Sequence, residues 1–110
     1  GKSTYHAGID LAAPAGSPVY ACTAGKVIET AYSNIYGNYI LIRHDDGRES
    51  LYGHLSKIKA RLYEKVKSGT VIGYVGSTGL STGPHLHFEV REQGKAKNPS
   101  LFIDTKKAKS

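Results

Sequence analysis

Methionine is absent from the 110-residue sequence, even at its first position, and cysteine occurs once, at Cys22. A lone thiol cannot close an intrachain disulfide, so the fold must rest on its own core, which one domain of this length can build. Cys22 ends the apolar run Val19-Tyr20-Ala21-Cys22 and is expected to be a buried, inert thiol. A chain without an initiator methionine is expected to be a processed product or part of a longer one, so a missing leader peptide carries no message. No apolar run approaches the length of a membrane span. Sustained helical periodicity is missing as well.

Charge is present but one-sided. Lysine and arginine number 15 against 9 acids, a formal excess of +6. Half of it sits at Lys106, Lys107 and Lys109, in a stretch (106–110) that reads as a solvated, disordered basic tail after a single domain over 1–105. A basic surface suits polyanions, but the aromatic–basic interleaving of nucleic-acid grooves is absent, so no nucleic-acid partner is expected.

What is abundant is glycine, with 13 residues, set among short apolar runs. This predicts an all-β domain of antiparallel sheets with tight turns and few or no helices. Strands are expected over 25–30, 39–44, 49–55, 70–75 and 85–91. Asp45-Asp46-Gly47-Arg48 supplies hairpin-turn chemistry between the second and third. Residues 56–64 are ambiguous, because Ile58 and Leu62 have helical spacing in too short a segment.

Three places carry chemistry. Along 85–90 the period of a strand puts Leu86, Phe88 and Val90 on one face and His85, His87 and Glu89 on the other. Two imidazoles on one strand face can converge on one small target. In His6-Ala-Gly-Ile-Asp10, an extended backbone puts both metal-ligand types on one face, with Gly8 free to bend between them. In Tyr52-Gly53-His54-Leu55, a regular strand would put Tyr52 and His54 on one face and Leu51 and Leu55 on the other. Four of the five histidines thus fall opposite apolar neighbours. A catalytic zinc site needs three protein ligands and an open position. Histidines and an aspartate can supply them with two histidines left for proton transfer and charge stabilisation. His44, beside the hairpin turn, reads as a partly exposed structural or surface residue.

These motifs, in this order and with the loop Gly76-Ser-Thr-Gly-Leu-Ser-Thr-Gly-Pro84 before the last, resemble the lysostaphin/LytM family of zinc endopeptidases. The likeness runs from about residue 5 to about residue 103 and includes Gly8–Ala21 and Val71–Pro84. It implies a small antiparallel β-domain with a groove over one zinc ion. His6, Asp10 and His87 match the family's metal ligands, and His54 and His85 its catalytic histidines. Glu89 is a candidate partner of a ligand histidine or a groove-lining residue, and Tyr52 a candidate substrate contact. Tyr32, Asn34, Tyr36 and Asn38 flank a groove-side loop. The implied reaction is hydrolysis of peptide bonds in the stem peptides or cross-bridges of bacterial peptidoglycan by metal-activated water. The implied setting is the periplasm or the outside of a bacterial envelope, where anionic wall polymers would meet the basic surface, and the expected state is a monomer. One departure is that residues 60–64 lack the glycine turn often found before Lys65-Val-Lys67. Two other functions compete. A histidine phosphocarrier is disfavoured by Asp10, since a phosphate gains little from a nearby carboxylate. A non-catalytic wall-binding or activator module with an intact metal site is the other.

Overall fold

The computed structural model describes residues 8–92 and 95–97. Among them the chain is strand and turn, with no helix, in agreement with the sequence pattern. The strands are β1 (Gly8–Ala12), β2 (Pro18–Tyr20), β3 (Gly25–Ser33), β4 (Gly37–His44), β5 (Arg48–Ile58), β6 (Lys65–Val66), β7 (Val71–Val75), β8 (His85–Glu92) and β9 (Lys95–Lys97). Every pairing is antiparallel. The main path across the sheet is β1-β8-β5-β4-β3-β6; β7 joins β5 to β2, and β9 pairs with β8.

The β4–β5 hairpin forms where the turn residues predict it. Gly47 adopts φ +89, a left-handed conformation open to glycine, and its N–H donates to the His44 carbonyl at 2.9 Å. The Asp46 carboxylate accepts from the Arg48 N–H at 2.9 Å and tightens the same turn. This sets the register Ile42↔Ser50, Leu41↔Leu51 and Ile40↔Tyr52. β5 then changes partners. Up to Gly53 it lies between β4 and β8, and from Leu55 onward it pairs with β7. The second half of the strand thereby folds over the core. Val27, Ile40, Ile42, Leu55, Ile72 and Phe88 form its centre, each at most 2% exposed. Burying such a side chain contributes roughly 1.5–3 kcal/mol.

The helical spacing of Ile58 and Leu62 is not used. β5 runs on through Ile58, and the segment after it closes in a turn with Tyr63 at φ +70, in the stretch that lacks the expected glycine turn. The turn is held because it completes the β3 edge: Tyr63 N–H donates to Val27 O at 2.7 Å, and Val27 N–H to Glu64 O at 2.9 Å. His6 and the basic stretch 106–110 lie outside the described residues.

Candidate active site

β8 shows the expected alternation. Phe88 and Val90 are buried in the core, Leu86 packs against it, and His85, His87 and Glu89 face the other way. β1 pairs along that strand in the register Asp10↔His87, Gly8↔Glu89 and Ala12↔His85. Register partners share a face, so the Asp10 carboxylate meets both imidazoles. Its Oδ1 lies 2.8 Å from His87 Nδ1 and 3.5 Å from His85 Nε2. Gly8 serves differently from the bend expected of it. A Cβ there would sit 2.6 Å from His87 Cε1 and 2.9 Å from Glu89 Cγ, so the missing side chain is the space these two occupy.

His54 reaches the same place by breaking its strand. Between Leu55↔Asn38 and Tyr52↔Ile40 the β4–β5 register slips by one residue, and His54 takes φ +63. Such a bulge re-aims the side chain that follows it. His54, which regular alternation would have sent to the core side with Tyr52, turns to the site instead. Its ring centroid lies 4.7 Å from that of His85 and 5.8 Å from that of His87. The expectation that Tyr52 shares this face is corrected. Tyr52 is 1% exposed and packs edge-on against Phe88 at 5.3 Å, so it is a core residue.

Both outer histidines are anchored in the same way. His54 Nδ1 lies 2.6 Å from Thr78 O, and His85 Nδ1 lies 2.9 Å from Gly83 O. A carbonyl can only accept, so each Nδ1 carries a proton; this leaves Nε2 of His54 as an acceptor, while Nε2 of His85 faces the Asp10 carboxylate. Burial lowers the pKa of His54, as do His85 and His87 nearby, and the Thr78 carbonyl only partly offsets this. His54 is therefore neutral at neutral pH.

Glu89 completes the cluster. Its Oε2 lies 2.8 Å from His87 Nε2 and accepts from the Tyr36 hydroxyl at 2.9 Å, and its Oε1 accepts from Arg91 Nε at 3.1 Å. Burial works to raise its pKa, but the bonds from His87 and Tyr36 and the Arg91 charge outweigh it and bring it down to about 2.

The cluster floors a groove of about 460 Å³, walled by Ile35, Tyr36, Leu80, Ser81 and Thr82. Two loops make this wall as one piece. Leu80 N–H donates to Ile35 O at 3.2 Å, and Thr78 Oγ1 accepts from Asn38 N–H at 3.1 Å. Their glycines interlock, since a Cβ at Gly79 would stand 2.2 Å from Gly37 N. Of the four loop residues singled out from sequence, Tyr36 lines the groove. Asn38 instead binds Leu55 O through its side chain at 2.9 Å. Thr78, Ile35, Leu80 and Arg91 carried no sequence signal of their own. Gly53 did: glycine inside a strand marks a bulge or a close approach, and Tyr36 O would lie 3.3 Å from its Cβ.

Two further expectations change. His44 is 5% exposed, not a surface residue; its Nδ1 lies 2.8 Å from Ala24 O and its Nε2 2.8 Å from Ser50 Oγ. Cys22 is only half-buried, and its Sγ accepts from the Tyr52 hydroxyl at 3.2 Å. The pKa of this thiol is lowered, because bonds from His44 and Tyr52 and the His44 charge outweigh its burial.

His87 and Asp10 are of the residue types that hold zinc, and they lie close together. Ligand atoms on tetrahedral zinc stand roughly 3.3 Å apart for bonds of ~2.0 Å. His87 Nδ1 and Asp10 Oδ1, 2.8 Å apart, need to open only slightly. Glu89 on the far nitrogen would make the carboxylate–histidine–metal arrangement of many such sites. Among the described residues no set of three His, Cys, Asp or Glu is arranged to hold a metal, and the third expected ligand, His6, lies outside them.

Known proteins share this chain's sequence and fold. The DD-carboxypeptidase/endopeptidase Mpg of Neisseria meningitidis is 50% identical over 94 residues, which are 86% of this chain and 22% of that protein. The peptidoglycan DD-endopeptidase ShyC of Vibrio cholerae is 41% identical over 99 residues, 90% of this chain and 23% of that protein. The chain thus spans under a quarter of the length of these two relatives. The antimicrobial peptidase lysostaphin of Staphylococcus simulans superposes with a TM-score of 0.86 at 39% identity, over 91% of this chain and 44% of that one. A zinc-containing peptidase from Vibrio cholerae does so with a TM-score of 0.79 at 43% identity, over 83% of this chain and 28% of that one. The model of peptidase family M23 matches residues 4–99. Sequence, fold and the clustering of His54, His85, His87 and Asp10 agree, and the chain belongs to peptidase family M23.

Proposed function

We propose that the chain is the catalytic domain of a zinc-dependent endopeptidase that hydrolyses peptide bonds in bacterial peptidoglycan, at the cell envelope or outside it. One observation carries this reading: two imidazoles, each pinned by a carbonyl at Nδ1, present Nε2 to a groove beside the His87–Asp10 pair. His6, Asp10 and His87 would hold the zinc. The metal supplies a Lewis acid that polarises the scissile carbonyl and lowers the pKa of a water from ~16 to about 7. His54, kept neutral, takes the proton of the attacking water at Nε2. His54 then returns that proton to the leaving amine, and His85, when its Nε2 carries a proton, hydrogen-bonds the developing oxyanion. The wall of the groove holds the substrate and keeps bulk water from the reacting atoms.

The bond best supported is the D-Ala–diamino acid cross-link. Two relatives are named for DD-endopeptidase activity. The rim also offers exposed aliphatic side chains, Ile35 at 59% and Leu80 at 73% exposed. Substrate side chains can cover these, whereas a glycine bridge has none to bring. The test is incubation of the purified chain with isolated cell walls, with and without chelator. Soluble fragments should appear, stop with chelator and return with added zinc, and mass spectrometry should show cut D-Ala–diamino acid bonds. No release from walls of several cross-link types would mean a wall-binding module instead.

A further inference from the structure

Glu89 is a carboxylate kept from water, 5% exposed, and every direction around it is occupied. Gly8 is its register partner on β1 and leaves no room for a swing toward that strand, since a Cβ there would already meet Glu89 Cγ. Leu51, its partner on β5, is 1% exposed and closes the other side. Its two oxygens are divided. Oε1 takes Arg91 Nε, while Oε2 takes the Tyr36 hydroxyl and His87 Nε2. Arg91 Nη2 also donates to the Tyr36 oxygen at 3.1 Å, which closes a ring of three residues. The Tyr36 ring lies nearly parallel to the His87 imidazole, 5.6 Å away and inclined by 27°.

We propose that Tyr36 and Arg91 are positioning residues of the metal centre, acting through Glu89, which they clamp so that it takes the Nε2–H of His87 and turns Nδ1 toward Asp10. The inference rests on the metallopeptidase reading. The chemistry is that of a two-nitrogen ring: a neutral imidazole carries one proton, and fixing it on Nε2 leaves the lone pair on Nδ1. A carboxylate held only by Arg91 could rotate and let the ring flip. With Tyr36 on the oxygen that faces His87, the carboxylate has one orientation. A plain strand ion pair between Glu89 and Arg91 would need neither the Tyr36 hydroxyl, contributed from 53 residues away, nor its stacking on the ligand ring. Tyr36 also lines the groove, so the clamp ties the wall that would hold substrate to the ligand that would hold metal.

The test measures zinc dissociation constants by competition with a chromophoric chelator, and the visible spectrum of the cobalt-substituted protein. Circular dichroism checks the fold of each variant. Glu89→Ala should bind zinc about 10- to 100-fold more weakly and shift the cobalt bands. Glu89→Gln, which keeps an acceptor for Nε2–H, should recover most of the affinity. Tyr36→Phe keeps the stacked ring and should weaken zinc several-fold alone, but add nothing in the Glu89→Ala background, because it acts through that carboxylate. Wild-type affinity in a folded Glu89→Ala overturns the proposal, as does a Tyr36→Phe effect that persists without Glu89. If Glu89→Ala does not fold, Tyr36→Phe and Arg91→Met decide alone, and unchanged affinity in both overturns it. A wild-type protein that binds no zinc overturns the metallopeptidase reading itself, a different result from one that binds zinc regardless of the clamp.

Discussion

His54 stands at φ +63, a backbone conformation that costs a non-glycine residue roughly 1–2 kcal/mol. The cost is tolerated because the backbone there is bound to Tyr36 O and the side chain to Thr78 O. The histidines divide into two kinds. His87→Ala should lose zinc and activity together, whereas His54→Ala should keep zinc and lose activity by at least 10²-fold. Metal content of the purified variants checks this, and equal zinc in both would sink the division. His44 gives a separate, pH-dependent effect. Burial lowers its pKa, but hydrogen bonds to Cys22 and Ala24 O and the nearby charges outweigh it, so the folded value is raised. A raised histidine stabilises the fold below its unfolded value of ~6.5, and that contribution fades as pH rises through the folded one. The melting temperature should fall across this range in the wild type and show a flatter profile in His44→Gln. Of the site residues, sequence brought out His85, His87 and Glu89 through strand alternation, which is local, and Asp10 and His54 through their motifs and the family resemblance. It misplaced Tyr52 and His44, because a bulge and a buried polar cluster depend on neighbours distant in the chain.

At the scale of elements, the strands of five or more residues set off by turn chemistry were legible: β3, β4, β5, β7 and β8. β2 and β6, three and two residues long, were not, since they are extended only because β7 and β3 pair with them. The groove wall shows the same limit. Nothing in Tyr36-Gly37 or Thr78-Gly79 says that these loops interlock. The structure makes the consequence sharp. Gly79 stands at φ +74 with Gly37 backbone against it, so Gly79→Ala should destabilise by about 2–4 kcal/mol through left-handed strain and overpacking. Denaturant melts measure the loss. Because Thr78 O anchors His54, cell-wall hydrolysis should fall further than the folded fraction does. Gly47→Ala has open space and a similar φ, so it isolates the strain alone and should cost about half as much or less.

For the molecule as a whole, the core is small and shared by nearly all strands, so Phe88→Ala should cost about 3–5 kcal/mol of a total of roughly 5–15 kcal/mol. That substitution removes the layer on which the β8 histidines stand, and loss of zinc with loss of fold is the expected result, seen by calorimetry with and without metal. Chelation of the wild type should lower the melting temperature by roughly 10–25 °C, the shift expected when a ligand present at 100- to 1,000-fold over its dissociation constant is withdrawn.

Asp10 and His87 are 77 residues apart in the chain and belong to the first and eighth strands. An ion gripped by both would act as a reversible cross-link, closing a loop whose entropy in the unfolded chain is worth on the order of 4–5 kcal/mol if it were closed by a disulfide. A protein with one thiol would gain the rigidity of a bridged secreted domain with no dependence on the redox state of its surroundings. Its weakness would be competition for metal, and the first part to loosen would be β1, which among the described residues pairs with β8 alone. Limited proteolysis of the chelated protein should therefore cut first in the segment between β1 and β2, and added zinc should close that site again.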